Sequence, residues 1–276
     1  MTTEPAPKQI IPFDPSLLKL GEEDAKFFKT CTRIEDGEEL AKHITDVAAK
    51  AYEVFSWPCI ALFEFTKFKV SRLPAYQSVI KLGQERPGAI LLDTACCFGN
   101  DLRKVISDGW PMENTIAIDV EPAFWGYGHE LFKSTPETFP AGFIGGDIFD
   151  PSILRPRQPF YQPPATPRPQ NLRTLESLTP LQGHISAICV LWFFHLYGEE
   201  KQIELAKQLA SLLSPEPGSV IFGSQRGEPI KKTGDSLWGY SPMCHSPESW
   251  KELWDRVFKK GTVRVETELE EGACTV

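Results

Sequence analysis

An α/β fold on a mostly parallel sheet, with helices on both faces and an antiparallel strand at the C-terminal end, is the architecture this sequence predicts. Three observations carry the expectation. Short apolar runs alternate with amphipathic stretches from residue 89 onward, the pattern of parallel strands joined by right-handed helical crossovers. The amphipathic stretches carry helix start and stop residues of their own. The closing segment TVRVETEL alternates apolar and polar residues at the period of a half-buried strand.

Taken in order, residues 1–20 are Pro-bearing and mixed, an arm on the body of the protein. From Glu38 to Phe55, Leu40, Ile44, Val47, Ala48, Ala51, Val54 and Phe55 recur at helical spacing and give one apolar stripe. After Trp57-Pro58, the alternation in IALFEFTKFKVSR suggests extended structure or an irregular wall, and a short helix follows near Ala75 to Gly83. AILLDTA then reads as a buried strand, DLRKVISDG as a helix stopped by Gly109, and NTIAIDV as a second strand. EPAFWGYGHELFKS is helical and AGFIGGDIF a third strand. Residues 151–183 hold eight of the 24 prolines, which disfavours regular structure. Leu154, Phe160, Tyr161, Leu172, Leu175 and Leu178 nonetheless give that stretch apolar anchors, so an ordered inserted loop or lid is expected. HISAICVLWFFHLYG supplies a fourth strand, EEKQIELAKQLASLL a helix and GSVIFGSQRG a fifth strand. Ser246 as N-cap and Pro247 at the first helical position open a last helix, with Trp250, Leu253, Trp254, Val257 and Phe258 on one face. The domain reading is an N-terminal arm and helix over 1–37 and a single domain over 38–276. Within that domain, 38–88 form a helical cap and 151–183 the Pro-rich insertion.

The chain has 276 residues, enough for one elaborated domain with a substantial core. A formal charge of −8 without visible clustering of the basic residues argues against a phosphate backbone as partner and for small-molecule chemistry. No apolar run approaches the roughly 18 residues of a membrane span. The opening MTTEPAPKQIIPFD lacks the basic and apolar segments of a secretory signal, so a cytoplasmic location is expected. Seven cysteines without regular spacing fit a reducing compartment better than a disulfide framework. Oligomeric state is not legible.

Chemistry in an open parallel sheet belongs at the carboxyl ends of the strands, and three strand ends here carry an acid: Asp93, Asp119 and Asp147. The stretch after the first of them, LLDTACCFGND, poses a choice between a sulfur site and a ligand-holding loop. Adjacent Cys96 and Cys97 lack the two-residue spacer of a redox motif, and no second Cys or His pair lies at zinc-ligand spacing, so no metal is expected. Asp119 follows Gly99 by roughly 20 residues, the separation that sets an acid where a ribose diol can donate to both carboxylate oxygens. Plain alternatives stand beside each assignment. Asp119 can serve as a helix N-cap, Asp147-Ile148 as a simple turn, and Asp93 as an acid that orients the loop's own amides.

Asp93-Thr-Ala95-Cys-Cys97-Phe-Gly99 resembles the first motif, acid-x-Gly-x-Gly-x-Gly, of the Rossmann-like, class I S-adenosylmethionine-dependent methyltransferases. The longer strings CCFGNDLRK, STPETFP, GDIFDP, LTPLQGHISA and CHSPESWKELW are similar to fungal methyltransferases of natural-product pathways, including those that act on meroterpenoids. The resemblance runs from about residue 38 to the end. It implies a seven-stranded, mostly parallel sheet and S-adenosyl-L-methionine as cofactor. It also implies a cofactor site made of Asp93, Ala95, Cys97 and Gly99, of Asp119 with Val120, and of Asp147 with Ile148. Ala95 and Cys97 stand where the motif prefers glycine; both are small, but a backbone with positive φ would be strained there.

His195, just past the fourth strand, is a candidate catalytic base or hydrogen-bond donor to the acceptor, or a histidine that only binds a backbone carbonyl. Of the aromatic residues Trp57, Trp125, Trp192, Phe193, Phe194, Trp238 and Tyr240, the last two are the first candidates for an acceptor pocket, because their loop is otherwise polar. Arg226 and His245 are candidate carboxylate partners. The function expected is methylation of a small secondary metabolite of terpenoid type, at a carboxylate or hydroxyl oxygen. A nicotinamide-dependent oxidoreductase and a non-catalytic binder of the same fold are the rivals; the missing G-x-G-x-x-G disfavours the first.

Overall fold

The structure is a computed structural model that describes residues 11–234 and 242–270. Strands β1 (Ile90–Thr94), β2 (Thr115–Asp119), β3 (Gly142–Gly145), β4 (Ile185–Leu191) and β5 (Val220–Ser224) form one sheet in the order β3-β2-β1-β4-β5. Every neighbouring pair is parallel. The order reverses between β1 and β4, which opens a crevice beyond their carboxyl ends. Each of the five apolar runs singled out in the sequence contains one of these strands.

Because successive strand residues face opposite sides, the sheet feeds two cores. Ile90, Leu92, Ile116, Ile118, Ile185 and Ile188 pack on one face with Leu205 and Leu209 of α7 (Glu199–Leu212) and Leu253 and Trp254 of α8 (Pro247–Asp255). Leu91, Ala117, Ala187 and Cys189 pack on the other, with Val79 of α4 (Tyr76–Glu85) and Leu102 and Val105 of α5 (Asn100–Ser107). The Pro-rich insertion contributes Leu154, Leu172, Leu178 and Leu181 to the first core and has only 3-10 turns of its own over 172–174 and 179–181. Helix α8 opens with a full capping box: Ser246 accepts from the Ser249 N–H, and Ser249 accepts from the Ser246 N–H.

A third core joins the N-terminal region to the sheet domain. Helices α1 (Glu22–Thr32) and α2 (Gly37–Val54) bring Phe28, Leu40, Ile44, Val47 and Ala48 against Phe98, Phe124, Leu131 and Phe132, the last three from α6 (Pro122–Leu131) or its end. Asp36 caps α2 by accepting from Glu38 and Glu39 N–H groups. The cap therefore sits on the loop that follows β1.

Two expectations are corrected. IALFEFTKFKVSR contains no strand. It forms a short helix α3 (Pro58–Ala61) and 3-10 turns at Glu64–Thr66 and Lys69–Arg72, broken by Phe63 in a left-handed conformation. Its alternation reflects buried Ile60, Phe63, Phe65 and Phe68 dropping one after another into the cap core, and Val70 into the second sheet core, not a pleat. The seven-stranded sheet with an antiparallel C-terminal strand is also not found: the sheet has five strands, and 262–269 pair with none of them among the described residues. Val265 reaches the core, but Val263 and Leu269 stay more than a third exposed, so burial on one face is too slight to fix a register. A separate two-stranded antiparallel pair, β6 (Lys232–Thr233) with β7 (Met243–Cys244), flanks the segment 235–241. Among the described residues no helix is long and apolar enough to cross a membrane.

Helix α6 approaches the β1 loop so closely that a Cβ on Gly128 would lie 2.3 Å from the Phe98 carbonyl oxygen. Gly128→Ala is expected to destabilise by about 1–3 kcal/mol, opposite in sign to the roughly 1 kcal/mol that alanine contributes in an unobstructed helix. Denaturant unfolding checks it; a stabilised variant would contradict the close packing.

Candidate active site

The loop after β1 has a left-handed backbone at each motif position: φ is 53° at Ala95, 50° at Cys97 and 67° at Gly99. Two of these three are L-residues with a Cβ, for which the conformation costs about 1–2 kcal/mol apiece. The surroundings hold it. Cys97 N–H donates to Asp119 Oδ2 at 2.8 Å, Cys96 N–H to Ile118 O at 3.2 Å, and Gly99 N–H closes a turn on Cys96 O at 2.8 Å. Phe98 is fully buried, edge-on to Phe65 at 4.7 Å, so the cap presses the loop down. At Gly99 no side chain fits, since a Cβ would lie 2.7 Å from the Trp125 ring.

The sulfurs are packing groups. Cys96 is buried in the core, and the Cys97 thiol is raised well above the usual range by its contact with Cys59 and by burial, so neither is a thiolate.

Asp119 closes β2 at the neighbouring strand end. Its Oδ1 accepts from Glu121 N–H at 3.0 Å while Oδ2 holds Cys97, which leaves lone pairs on both oxygens. Burial raises its carboxyl above the ordinary range, partly offset by those two N–H groups. Val120 beside it is 62% exposed, an apolar side chain with no protein cover at the place where an adenosine would lie. Loop, acid and uncovered valine fit that ligand.

Asp93 is buried, and its carboxyl is pushed well up by desolvation and by the nearby Asp101 and Asp119 charges. Asp101 escaped the sequence reading, although an acid in the first turn of the helix after a cofactor loop is a usable signal. It accepts from Val70 N–H at 2.9 Å and from the Asn100 amide at 2.9 Å, tying the cap to α5, and burial raises it to about 6. Asp147 lies two residues past β3, whose Gly145 is in register with Asp119. It is exposed and turns back on Phe149 N–H at 2.9 Å. The Ile148 side chain is in the core, so what it can offer a ligand is its backbone.

The far wall comes from the ends of β4 and β5. Trp192 is left-handed, with φ 51°, and 37% exposed, an uncommon conformation for a bulky residue. Its N–H donates to Ser224 O at 2.8 Å. His195, in the 3-10 turn Phe194–Leu196, sets its ring at a right angle to the Trp192 ring at 5.3 Å. Its Nδ1 is buried without a partner among the described residues. Burial, reinforced by the positive charges of Arg226 and Lys69, lowers the imidazole to about 4. Arg226, past the end of β5, is paired with Glu228 at 3.5 Å. His245 sits at the start of α8, where Nδ1 shares a 2.9 Å hydrogen bond with Ser249 Oγ and the ring meets Trp250. Trp238 and Tyr240 lie outside the described residues. Lys69 was hidden from sequence reading because its segment reads as extended.

Two tests follow from this geometry. Asp119→Ala should weaken S-adenosylhomocysteine binding by about 1.5–3 kcal/mol, the worth of charge-assisted hydrogen bonds, by calorimetry; unchanged affinity would count against the ribose role. Asp101→Asn tests the electrostatics. A carboxyl that titrates at about 6 when folded, against an ordinary 3.8, is favourably protonated in the native state and adds a penalty as pH rises between those values. The variant should therefore match wild type near pH 4 and exceed it in stability near pH 7, with Asn keeping an acceptor for Val70. A stability difference that does not grow with pH would refute the burial argument.

The family described as meroterpenoid methyltransferase N-terminal domain matches residues 13–66, from the N-terminal arm through α2 and α3 of the cap. Across more of the chain, O-methyltransferase phiE of Fungal sp. (strain ATCC 74256) is 29% identical over 236 residues, 85% of this chain and 70% of the relative. Methyltransferase ausD of Penicillium brasilianum is 28% identical over 236 residues, 84% of this chain and 75% of that one. Methyltransferase trt5 of Aspergillus terreus is 27% identical over 269 residues, 94% and 86%. With its N-terminal region matched by that family and the sheet domain similar to these relatives, the chain is an S-adenosylmethionine-dependent methyltransferase similar to those of fungal natural-product pathways.

Proposed function

We propose that the chain methylates an oxygen of a small terpenoid-type acceptor, and that the oxygen is a carboxylate. The observation that carries the choice is the state of His195. A hydroxyl acceptor needs a base matched to neutral pH, and an imidazole held at about 4 is a poor one. A carboxylate, with a pKa near 4, is ionised already and needs none. The neutral ring then serves as a hydrogen-bond donor that orients the acceptor.

S-adenosylmethionine supplies a sulfonium methyl; the rest is the work of this chain's residues. Asp119 and the 95–99 loop would hold the ribose and methionyl portion, Val120 and the Ile148 backbone would flank the adenine, and Asp93 would orient the loop from beneath. His195, Arg226 and Trp192 face the acceptor side in this reading, joined by His245. Holding the two reactants in line is the main contribution to rate. An anionic acceptor and a sulfonium lose charge together in the transition state, which the apolar walls favour.

The test is transfer of labelled methyl groups to prenylated hydroxybenzoic acids and to the matching benzyl alcohols. For a carboxylate acceptor, kcat/KM should stay level from about pH 6 to about pH 9, because acceptor and His195 both keep one protonation state there. Methylation of the alcohols alone, with a rate that climbs through that range, would reverse the choice of oxygen.

A further inference from the structure

Lys69 stands where the cap, the cofactor loop and the end of β4 meet. Its Nζ lies 2.9 Å from Glu64 Oε2 and 4.7 Å from the centroid of the Trp192 ring, with the side chain 23% exposed. Glu64 is shared, since Lys67 Nζ is 2.5 Å from its other oxygen. Asp101 also faces Lys69, but its oxygens are held by Val70 N–H and the Asn100 amide. An ammonium has three donors, so Lys69 keeps hydrogen-bonding capacity toward the cleft.

Trp192 is the independent observation. Just past the end of β4 it is left-handed and more than a third exposed, with Lys69 and His195 against its ring. Strain at an exposed aromatic residue on the functional end of a sheet points to a ligand surface. On the other side, Arg226 shares Glu228 with Lys232, which is 3.1 Å from that carboxylate. An apolar plate edged by cations matches an amphipathic acid.

We propose that Lys69 and Trp192 form the acceptor-selecting wall: the indole carries the apolar body of the substrate, and the ammonium anchors its carboxylate. The anchor rests on the carboxylate reading above. Lys69 is assigned to the acceptor and not to the methionyl carboxylate of the cofactor because it lies over the residue that ends β4, whereas the ribose acid ends β2.

The experiment compares wild type, Lys69→Met and Lys69→Arg on the prenylated hydroxybenzoic acid that wild type turns over best, with S-adenosylhomocysteine binding measured alongside. Lys69→Met should raise KM for the acid by about tenfold or more, with kcat unchanged or raised because the anchored carboxylate loses charge in the transition state, and with S-adenosylhomocysteine affinity within about twofold; Lys69→Arg should recover most of the KM. Retained S-adenosylhomocysteine affinity also shows that the variant is folded. Weakened S-adenosylhomocysteine binding with unchanged KM for the acid would assign Lys69 to the cofactor's tail and overturn the proposal, as would no effect on either. Wild-type turnover of the benzyl alcohols but of none of the acids would remove the carboxylate reading, and the anchor with it.

Discussion

The hydrogen bond from Cys97 N–H to Asp119 is the constraint around which the site is organised. It joins the ends of two adjacent parallel strands, and it fixes the middle of a loop whose residues 95, 97 and 99 are all left-handed. Glycine would adopt that path freely; alanine and cysteine adopt it under strain. A charged acceptor buried at the end of β2 supplies a bond stronger than a neutral one, and the fully buried Phe98 beside strained Cys97 supplies packing. The carboxylate proposed for the ribose is thus also the group that keeps the loop in shape, so in that proposal cofactor binding and loop geometry are coupled through one side chain.

Around that bond the protein concentrates acids on one side and cations on the other. Burial raises the Asp93, Asp101 and Asp119 carboxyls, Asp93 further through the charges of the other two, while burial with Arg226 and Lys69 lowers His195. Separation of this kind has a cost in stability, which the three cores bear. In the proposed reading the acids face the cofactor and the cations face an anionic acceptor. The cap is part of both, since the backbone of Val70 ties it to Asp101 and the neighbouring residue is Lys69.

Much of this was legible in the sequence, for identifiable reasons. The five sheet strands are short apolar runs, the first three with an acid at or just past their ends, and helices such as α2, α7 and α8 carry clear apolar faces; both are local signals. The left-handed path of the 95–99 loop is the one the motif requires despite two missing glycines, because backbone conformation tolerates a small side chain where packing compels it. What failed was pattern without context. The alternation at 60–72 belongs to side chains entering an aromatic core in helical turns, and that at 262–269 lacks enough burial on one face to set a strand. Lys69 and Asp101 acquire meaning only from neighbours distant in sequence, such as Trp192 for the first. No periodicity announces such contacts.

A crystal structure with S-adenosylhomocysteine bound tests the central claim most directly. The account predicts both ribose hydroxyls within hydrogen-bond distance of the Asp119 carboxylate, the left-handed loop unchanged beneath the ligand, and the sulfur directed toward Trp192 and His195. A nucleoside lodged away from Asp119, or a loop that flips out of its left-handed path on binding, would contradict it.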